Sequence, residues 1–401
     1  MIKLPAALSN SDLRRLLAAQ LPADFADWLD FVAIGALLAF VWDTEPFVFA
    51  ILAVSLGLPY LVVGPFAGVL VDRMDLKNIL ILSNLGRALA TASLFFAPDW
   101  VILMALIALR SSVDAIFTPA KQAAIQALTK PEERMGANGL SHAINQSSKI
   151  VAPAIGGSLL IWLAPQMIFL LNAVVSVLAA LLFLRLSKMT KLLHDNMVGT
   201  GLITNVADGF KEVSGSLVLR ASLTMMAAGY FAMFFYDTLI APLTRDLGYS
   251  QSQLGLALAA VGFGGVIGSV VLGLAKDGSR SFSWIAWGSV ISGLTVIGVG
   301  ACEVLNISID FALFVALFAI LGLASAMAVV PFRTIIQNHV APDHIGRITA
   351  LSEAANTVAL LIGPFIGAAI ASATSIGAAF IGGGVVMLFV ALRAFTIRTQ
   401  S

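Results

Sequence analysis

The sequence predicts an all-α membrane protein of twelve transmembrane helices, arranged as two pseudo-symmetric six-helix bundles. Three observations carry that expectation. Apolar residues make up 59% of the 401-residue chain, charged residues only 11%, and the mean hydropathy is +0.96. A water-soluble domain carries about 25% charged residues. Apolar segments recur along the whole chain, each near the ~20 residues that a bilayer core requires of a helix. Finally, the second half echoes the first in sequence.

The segments fall at 16–41, 47–71, 78–97, 100–120, 137–163 and 166–186, then at 217–242, 252–276, 282–302, 309–332, 346–371 and 376–397. Each pair is separated by turn-forming residues. "WDTEP" ends span one, "DRMDLKN" span two, "FAPDW" span three, "TKPEERMG" span four and "LAPQ" span five. In the second half "RDLGYSQSQ", "KDGSRS", "NISID" and "APDHIGR" do the same. The longest connection divides the chain into an N-terminal bundle (1–186), a cytoplasmic linker (187–216) and a C-terminal bundle (217–401). Within the linker, "LITNVADGFKEV" reads either as a short helix on the inner leaflet or as a loop.

Basic residues set the orientation. With both termini cytoplasmic, nearly all Lys and Arg lie at inner ends of spans, and only Arg245 falls in an outer loop, the asymmetry expected of a multi-pass protein of a bacterial inner membrane. Met1 to Gln20 is polar and carries Arg14 and Arg15, so no cleavable signal is expected. The net charge of +1 argues against a nucleic-acid partner. The single cysteine, Cys302, excludes an internal disulfide, and no metal-ligand spacing or cofactor motif is present. Neither G-x-x-x-x-G-K-[ST] nor G-x-S-x-G occurs, so no enzyme is expected.

Shifted by 211 residues, "PEERMGANGLSHAINQSSKIVAPAIGG" from Pro131 lies on "PDHIGRITALSEAANTVALLIGPFIGA" from Pro342 without a gap. Asn145 meets Asn356 and Pro153 meets Pro364. A second echo pairs "GVLVDR" from Gly68 with "GLAKDGSR" from Gly273. Duplicated six-helix units are an architecture of secondary transporters, with the site near the midplane between the repeats.

"GVLVDRMDLK" closes span two. Asp72 sits at a helix C-terminus, where the macrodipole disfavours a carboxylate, so a cation or another helix N-terminus must stabilise it. In "APAIGG", Pro153 deprives the Lys149 carbonyl of its helical donor, while Gly156 and Gly157 permit close packing. The first stretch resembles the G-x-x-x-D-R-x-G-R-R signature of the major facilitator superfamily through Gly68, Asp72 and Arg73, with Asp75 in place of Gly. The second resembles that family's span-five antiporter pattern, with Ala152 in place of the first Gly. "FTPAKQAAIQALTKPEERMGANGL" (Phe117–Leu140) and "AQLPADFADW" look like the branch holding enterobactin-type siderophore exporters and macrolide efflux pumps. The resemblance implies the major facilitator fold, a charge relay at an inner gate formed by Gly68, Asp72 and Arg73, and transport by alternating access.

Charges inside the apolar spans are the remaining signal. Asp24, Asp27 and Asp30 stand at three-residue spacing in span one, about 12, 17 and 21 Å from the inner face at ~1.5 Å rise per residue. Steps of three turn the helix by about −60°, so the three share one face. Arg110 and Lys149 reach a similar level, with Asp114 and His142 lower. Each such charge costs about 2.5–3.5 kcal/mol at a helix centre, which requires partners or water. The acidic stripe is expected to face a wet cavity, partly neutralised by Arg110 and Lys149. Asp27, Asp30, Asp24 and, in the second half, Glu353 are then candidates for proton coupling. Arg110, Lys149, Asp114, His142 and Tyr230 are candidates for substrate binding. The competing reading is a static salt-bridge cluster, and Arg87 reads as structural.

These features point to a monomeric secondary transporter in contact with membrane lipid. It is expected to exchange protons for a small amphipathic organic substrate, a siderophore or drug, on export. The alternative is uptake of a siderophore or lysophospholipid through the same fold.

Overall fold

The computed structural model describes residues 10–130, 133–189, 217–274, 281–339 and 345–398. Among these every regular element is helical. The segment "LITNVADGFKEV" lies outside the described residues, as do the side chains at Gly68, Asp72, Arg73 and Glu353.

In the first half the helices are α1 (Ser11–Ala36), α2 (Pro46–Arg73), α3 (Leu76–Leu94), α4 (Trp100–Ala127), α5 (Arg134–Leu159) and α6 (Pro165–Phe183). The second half holds α7 (Leu217–Phe234), the short α8 (Ile240–Asp246), α9 (Gln251–Leu274), α10 (Ser281–Val304), α11 (Phe311–His339), α12 (Ile345–Ala373) and α13 (Ile376–Arg398). Nine stretches among the described residues are long and apolar enough to cross a membrane. The long helices that fall short by composition are α1, α3 and α5. They carry Asp24, Asp27 and Asp30, then Arg87, then His142 and Lys149, so the shortfall marks where polar groups are concentrated.

Local chemistry explains the element ends. Asn10 caps α1 by accepting from the backbone N–H of Asp12 and Leu13, and its amide donates to the Leu128 carbonyl. α1 then winds into one π turn, Leu37–Val41, closed by Trp42 N–H donating to Leu37 O. Asp75 caps α3, accepting from Lys77 N–H, and its second oxygen accepts from Met189 N–H. The residue that departs from the facilitator signature therefore has a structural task of its own. Asp99 and Asp310 cap α4 and α11 in the same way.

The expected span 217–242 is interrupted. After Phe234 the chain passes through a 3-10 turn at Asp237–Leu239 before α8 starts. Pro242 lacks an N–H and is best accommodated in the first turn of a helix, where no intrahelical bond is lost, and α8 places it there.

Two compact units emerge: Met1–Asp43, Val54–Asp195 and Gln251–Ala259 in one; Thr44–Ala53, Asn196–Ser250 and Ala260–Ser401 in the other. In the first, α1 packs on α5 and α6, while α3 packs on α4 and α6. In the second, α7 packs on α12 and α13, while α10 packs on α11 and α13. The helix pairing repeats in the same order, as a duplicated unit requires. Leu16, Leu80, Phe117, Ile125 and Phe183 form an apolar core in the first unit, and Met225, Phe282, Ile285 and Val390 one in the second.

Candidate functional site

The spacing of Asp24, Asp27 and Asp30 turns all three toward the interior of the first unit, where α3 and α4 supply the cations. Arg110 Nη2 lies 2.8 Å from Asp27 Oδ1, and its Nε lies 2.9 Å from Asp30 Oδ2. Its Nη1 lies 3.4 Å from Asp114 Oδ2, one turn along α4. Arg87 is fully buried. Its Nη1 lies 3.0 Å from Asp27 Oδ1 and donates to the Ala23 carbonyl at 2.8 Å, while its Nε is 2.8 Å from Asp114 Oδ1. Both arginines thus take the same oxygen of Asp27. The Phe117 ring closes one side, 4.9 Å from the Arg87 guanidinium carbon.

A lower tier holds Asp24. Lys121 Nζ sits 3.1 Å from its Oδ1, and Gln20 Nε2 donates to its Oδ2 at 2.6 Å. Gln20 also ties α1 to α5 in both directions: its Nε2 donates to the Ser141 carbonyl, and its Oε1 accepts from Ser141 Oγ, each at 2.9 Å. Asn172 of α6 donates to the Ala26 carbonyl at 2.9 Å.

Four carboxylates, Asp24, Asp27, Asp30 and Asp114, therefore meet three cations, Arg87, Arg110 and Lys121. With every group ionised the cluster carries one surplus negative charge. Exposure is uneven: the side chains of Asp24 and Asp30 are 2% and 1% exposed, that of Asp27 36%. Along the stripe, one half-buried carboxylate thus stands between two sealed ones.

Other expected residues lie elsewhere. Lys149 rests its ammonium 4.9 Å from the centre of the Trp28 ring, and the position beside Asp27 assigned to it is filled by Arg87. His142 is exposed on α5. Tyr230 belongs to the second unit and lines a cavity there, whereas Arg110 and Asp114 belong to the first. Gly156 faces Leu29 and Val32 of α1. Gly157 faces the backbone of Ser252 and Gly255, within the Gln251–Ala259 segment that groups with the first unit. Sequence reasoning passed over Arg87, Lys121, Gln20 and Ser141 as site residues. Arg87 had a signal, as a cation within an apolar span.

The sequence matches the Major Facilitator Superfamily over residues 16–240 and again over 221–400. The chain belongs to this family. Facilitators are membrane transporters of small molecules and not enzymes. This facilitator is 28% identical to the uncharacterized MFS-type transporter YfiS of Bacillus subtilis, across 97% of this chain and 93% of that one. It is 28% identical to macrolide efflux protein A of Enterococcus faecalis, across 76% and 95% respectively. It is 27% identical to the staphyloferrin A transporter of Staphylococcus aureus, across 73% of each. In fold it is similar to a solved bacterial homologue of the human lysosomal transporter Spinster, inward-facing and occupied. The TM-score is 0.71 at 13% identity, over 97% of this chain and 96% of that one. This facilitator is accordingly a multi-pass membrane protein.

Proposed function

We propose that this facilitator is a proton-coupled exporter of an amphipathic organic molecule, a drug or a siderophore. In this reading twelve helices span a bacterial inner membrane, with both termini cytoplasmic, and the chain works as a monomer in contact with lipid. The observation that supports the reading is the excess of one carboxylate among the seven side chains Asp24, Asp27, Asp30, Asp114, Arg87, Arg110 and Lys121, together with the exposure of Asp27 alone among the four carboxylates.

A buried cluster with one unbalanced charge is costly in a low-dielectric medium unless water or a counter-ion reaches it. One proton on Asp27 balances it. Arg87 then remains held by Asp114 and the Ala23 carbonyl, and Arg110 by Asp30 and Asp114, so protonation leaves no cation stranded. The neutral cluster can be enclosed; the charged one needs an open, hydrated face. Alternating access would thus load a proton from one side and release it to the other. Asp24 and Asp30, sealed by Lys121 and Arg110, hold the helices together in this scheme. Arg110, loosened from Asp27 by its proton, becomes available to an anionic group on the cargo, with Lys149 beside Trp28. Gly68, Asp72 and Arg73 serve as the inner latch, as the family pattern implies. The names of the macrolide efflux and staphyloferrin A relatives support the choice of cargo class.

The test is transport in proteoliposomes under an imposed pH gradient, with a macrolide, a siderophore and a lysophospholipid as separate cargoes. Gradient-driven movement of the macrolide or siderophore opposite to protons is the expected result. Movement of the lysophospholipid alone, or of a siderophore in the same direction as protons, would replace the export reading with uptake.

A further inference from the structure

The two units share a helix-pairing order, so the junction that holds the ionic cluster in the first has a counterpart in the second. In the first unit the cluster is built from α1, α3 and α4 and backed by α6. The counterpart junction is α7, α10, α11 and α13. A cavity of about 120 Å³ lies there, lined from all four helices.

The match extends to residues. Asp99 and Asp310 cap equivalent helices at a shift of 211 residues. That shift sets Leu321 on Arg110 and Ser325 on Asp114, and both line the cavity. The echo of Gly68 on Gly273, a shift of 205, sets Ser292 on Arg87, and Ser292 lines it too. Along α7 and the turn that follows it, the three-residue spacing of the aspartates recurs as Tyr230, Met233 and Tyr236, all lining the same space. Where the first unit filled its interior with ion pairs, the second left it open and walled it mostly with uncharged side chains, Asp237 being the one carboxylate in its lining.

The wall has a definite chemistry. Met225, Met226, Met233 and Met387 supply polarisable, unbranched side chains that adapt to a guest. Tyr230 and Tyr236 supply aromatic faces. One polar atom stands out. Ser222 is 1% exposed, lines the cavity, and its Oγ has no hydrogen-bond partner. A buried hydroxyl left unpaired carries its full desolvation penalty. A guest atom that bonds it recovers that cost. At about 120 Å³ the cavity is somewhat smaller than the apolar cavity of about 150 Å³ that accepts benzene, so one small ring is the most it admits, and the flexible methionines must yield to it.

We propose that this cavity within the second unit is a binding site for a single aromatic ring bearing a hydroxyl, the group Ser222 would bond. That the ring is part of the transported molecule rests on the export reading above; the site itself does not. Gly229 lines the cavity, and a Cβ added there meets nothing within 4 Å, so Gly229→Leu can direct its side chain into the space without a clash at its Cβ.

The full chain, labelled with ¹³C at its methionine methyl groups and held in detergent micelles, is titrated with phenol and separately with toluene. Phenol is expected to give saturable ring-current shifts at Met225, Met226, Met233 and Met387, and none at Met104 or Met167. Gly229→Leu should weaken phenol binding at least tenfold while the Met104 and Met167 signals stay in place. Ser222→Ala should abolish the preference for phenol over toluene. Unsaturable shifts in the native chain, or equal phenol binding in Gly229→Leu, would overturn the site. An unchanged phenol preference in Ser222→Ala would overturn its polar contact. A flat phenol titration beside intact gradient-driven export would sink the cavity alone. Saturable phenol binding beside no export of any cargo would sink the transport reading alone.

Discussion

Arg110 and Asp27 meet at 2.8 Å through one carboxylate oxygen, Oδ1, which Arg87 also contacts at 3.0 Å. Two guanidinium groups share one oxygen of a side chain that is 36% exposed, where those of Asp24 and Asp30 are sealed.

Arg87 should be the most sensitive cation. It is buried among Asp27, Asp114 and the Ala23 carbonyl, so removing it leaves both carboxylates to share Arg110 and takes from Asp114 its shorter contact. Breaking a buried pair by deleting one partner costs about 3–5 kcal/mol. Arg87→Met should therefore lower the thermal unfolding midpoint sharply, and Arg87→Met with Asp114→Asn should recover part of the loss. Equal midpoints for the single and double variants would show that Asp114 is not its partner in energy.

The two glycines after Pro153 should differ. A methyl on Gly156 would approach Leu29 Cδ1 at 2.9 Å, the far end of a side chain that can rotate away. A methyl on Gly157 would approach Ser252 O at 2.7 Å and Gly255 Cα at 2.8 Å, both backbone. Overpacking costs about 1–3 kcal/mol where neighbours cannot yield. Gly157→Ala should fall in that range and Gly156→Ala below it, by thermal unfolding of each variant. The reverse order would mean that α5 packs by another face.

Asp12 offers a pH-dependent prediction outside the apolar spans. A hydrogen bond from the Ser187 hydroxyl, helped by Arg15 and the Ser187 backbone N–H, holds its carboxyl below the ordinary carboxylate value. A depressed folded-state value adds stability above the unfolded pKa and loses it as pH falls through the folded value. Asp12→Asn should thus lower the unfolding midpoint at neutral pH, and the gap from the native chain should close on acidification. A gap independent of pH would remove the carboxylate from the contact.

Much of this architecture was legible in the residues. Turn chemistry marked where helices end: Asp99 and Asp310, in "FAPDW" and "NISID", cap α4 and α11. The repeat from Pro131 to Pro342 anticipated the shared pairing order. Depth along a helix was also readable, because rise per residue is fixed. Azimuth was not. Lys149 lies near the right level yet rests on Trp28, while Arg87, on α3, fills the place beside Asp27. Which face of a helix meets which neighbour depends on packing, and no spacing rule supplies it. The break after Phe234 escaped for a related reason: an apolar run reads the same whether or not its backbone bonds are continuous. The cavity around Tyr230 escaped because open space leaves no mark on composition.

The most direct measurement is macrolide transport by Asp27→Asn beside the native chain, in proteoliposomes with and without a pH gradient. Asparagine mimics the protonated carboxyl and removes the surplus charge. The variant should lose at least tenfold in gradient-driven uphill transport while cargo-for-cargo exchange without a gradient persists. If Asp27→Asn still concentrates the macrolide in response to the gradient as the native chain does, Asp27 is not the coupling group.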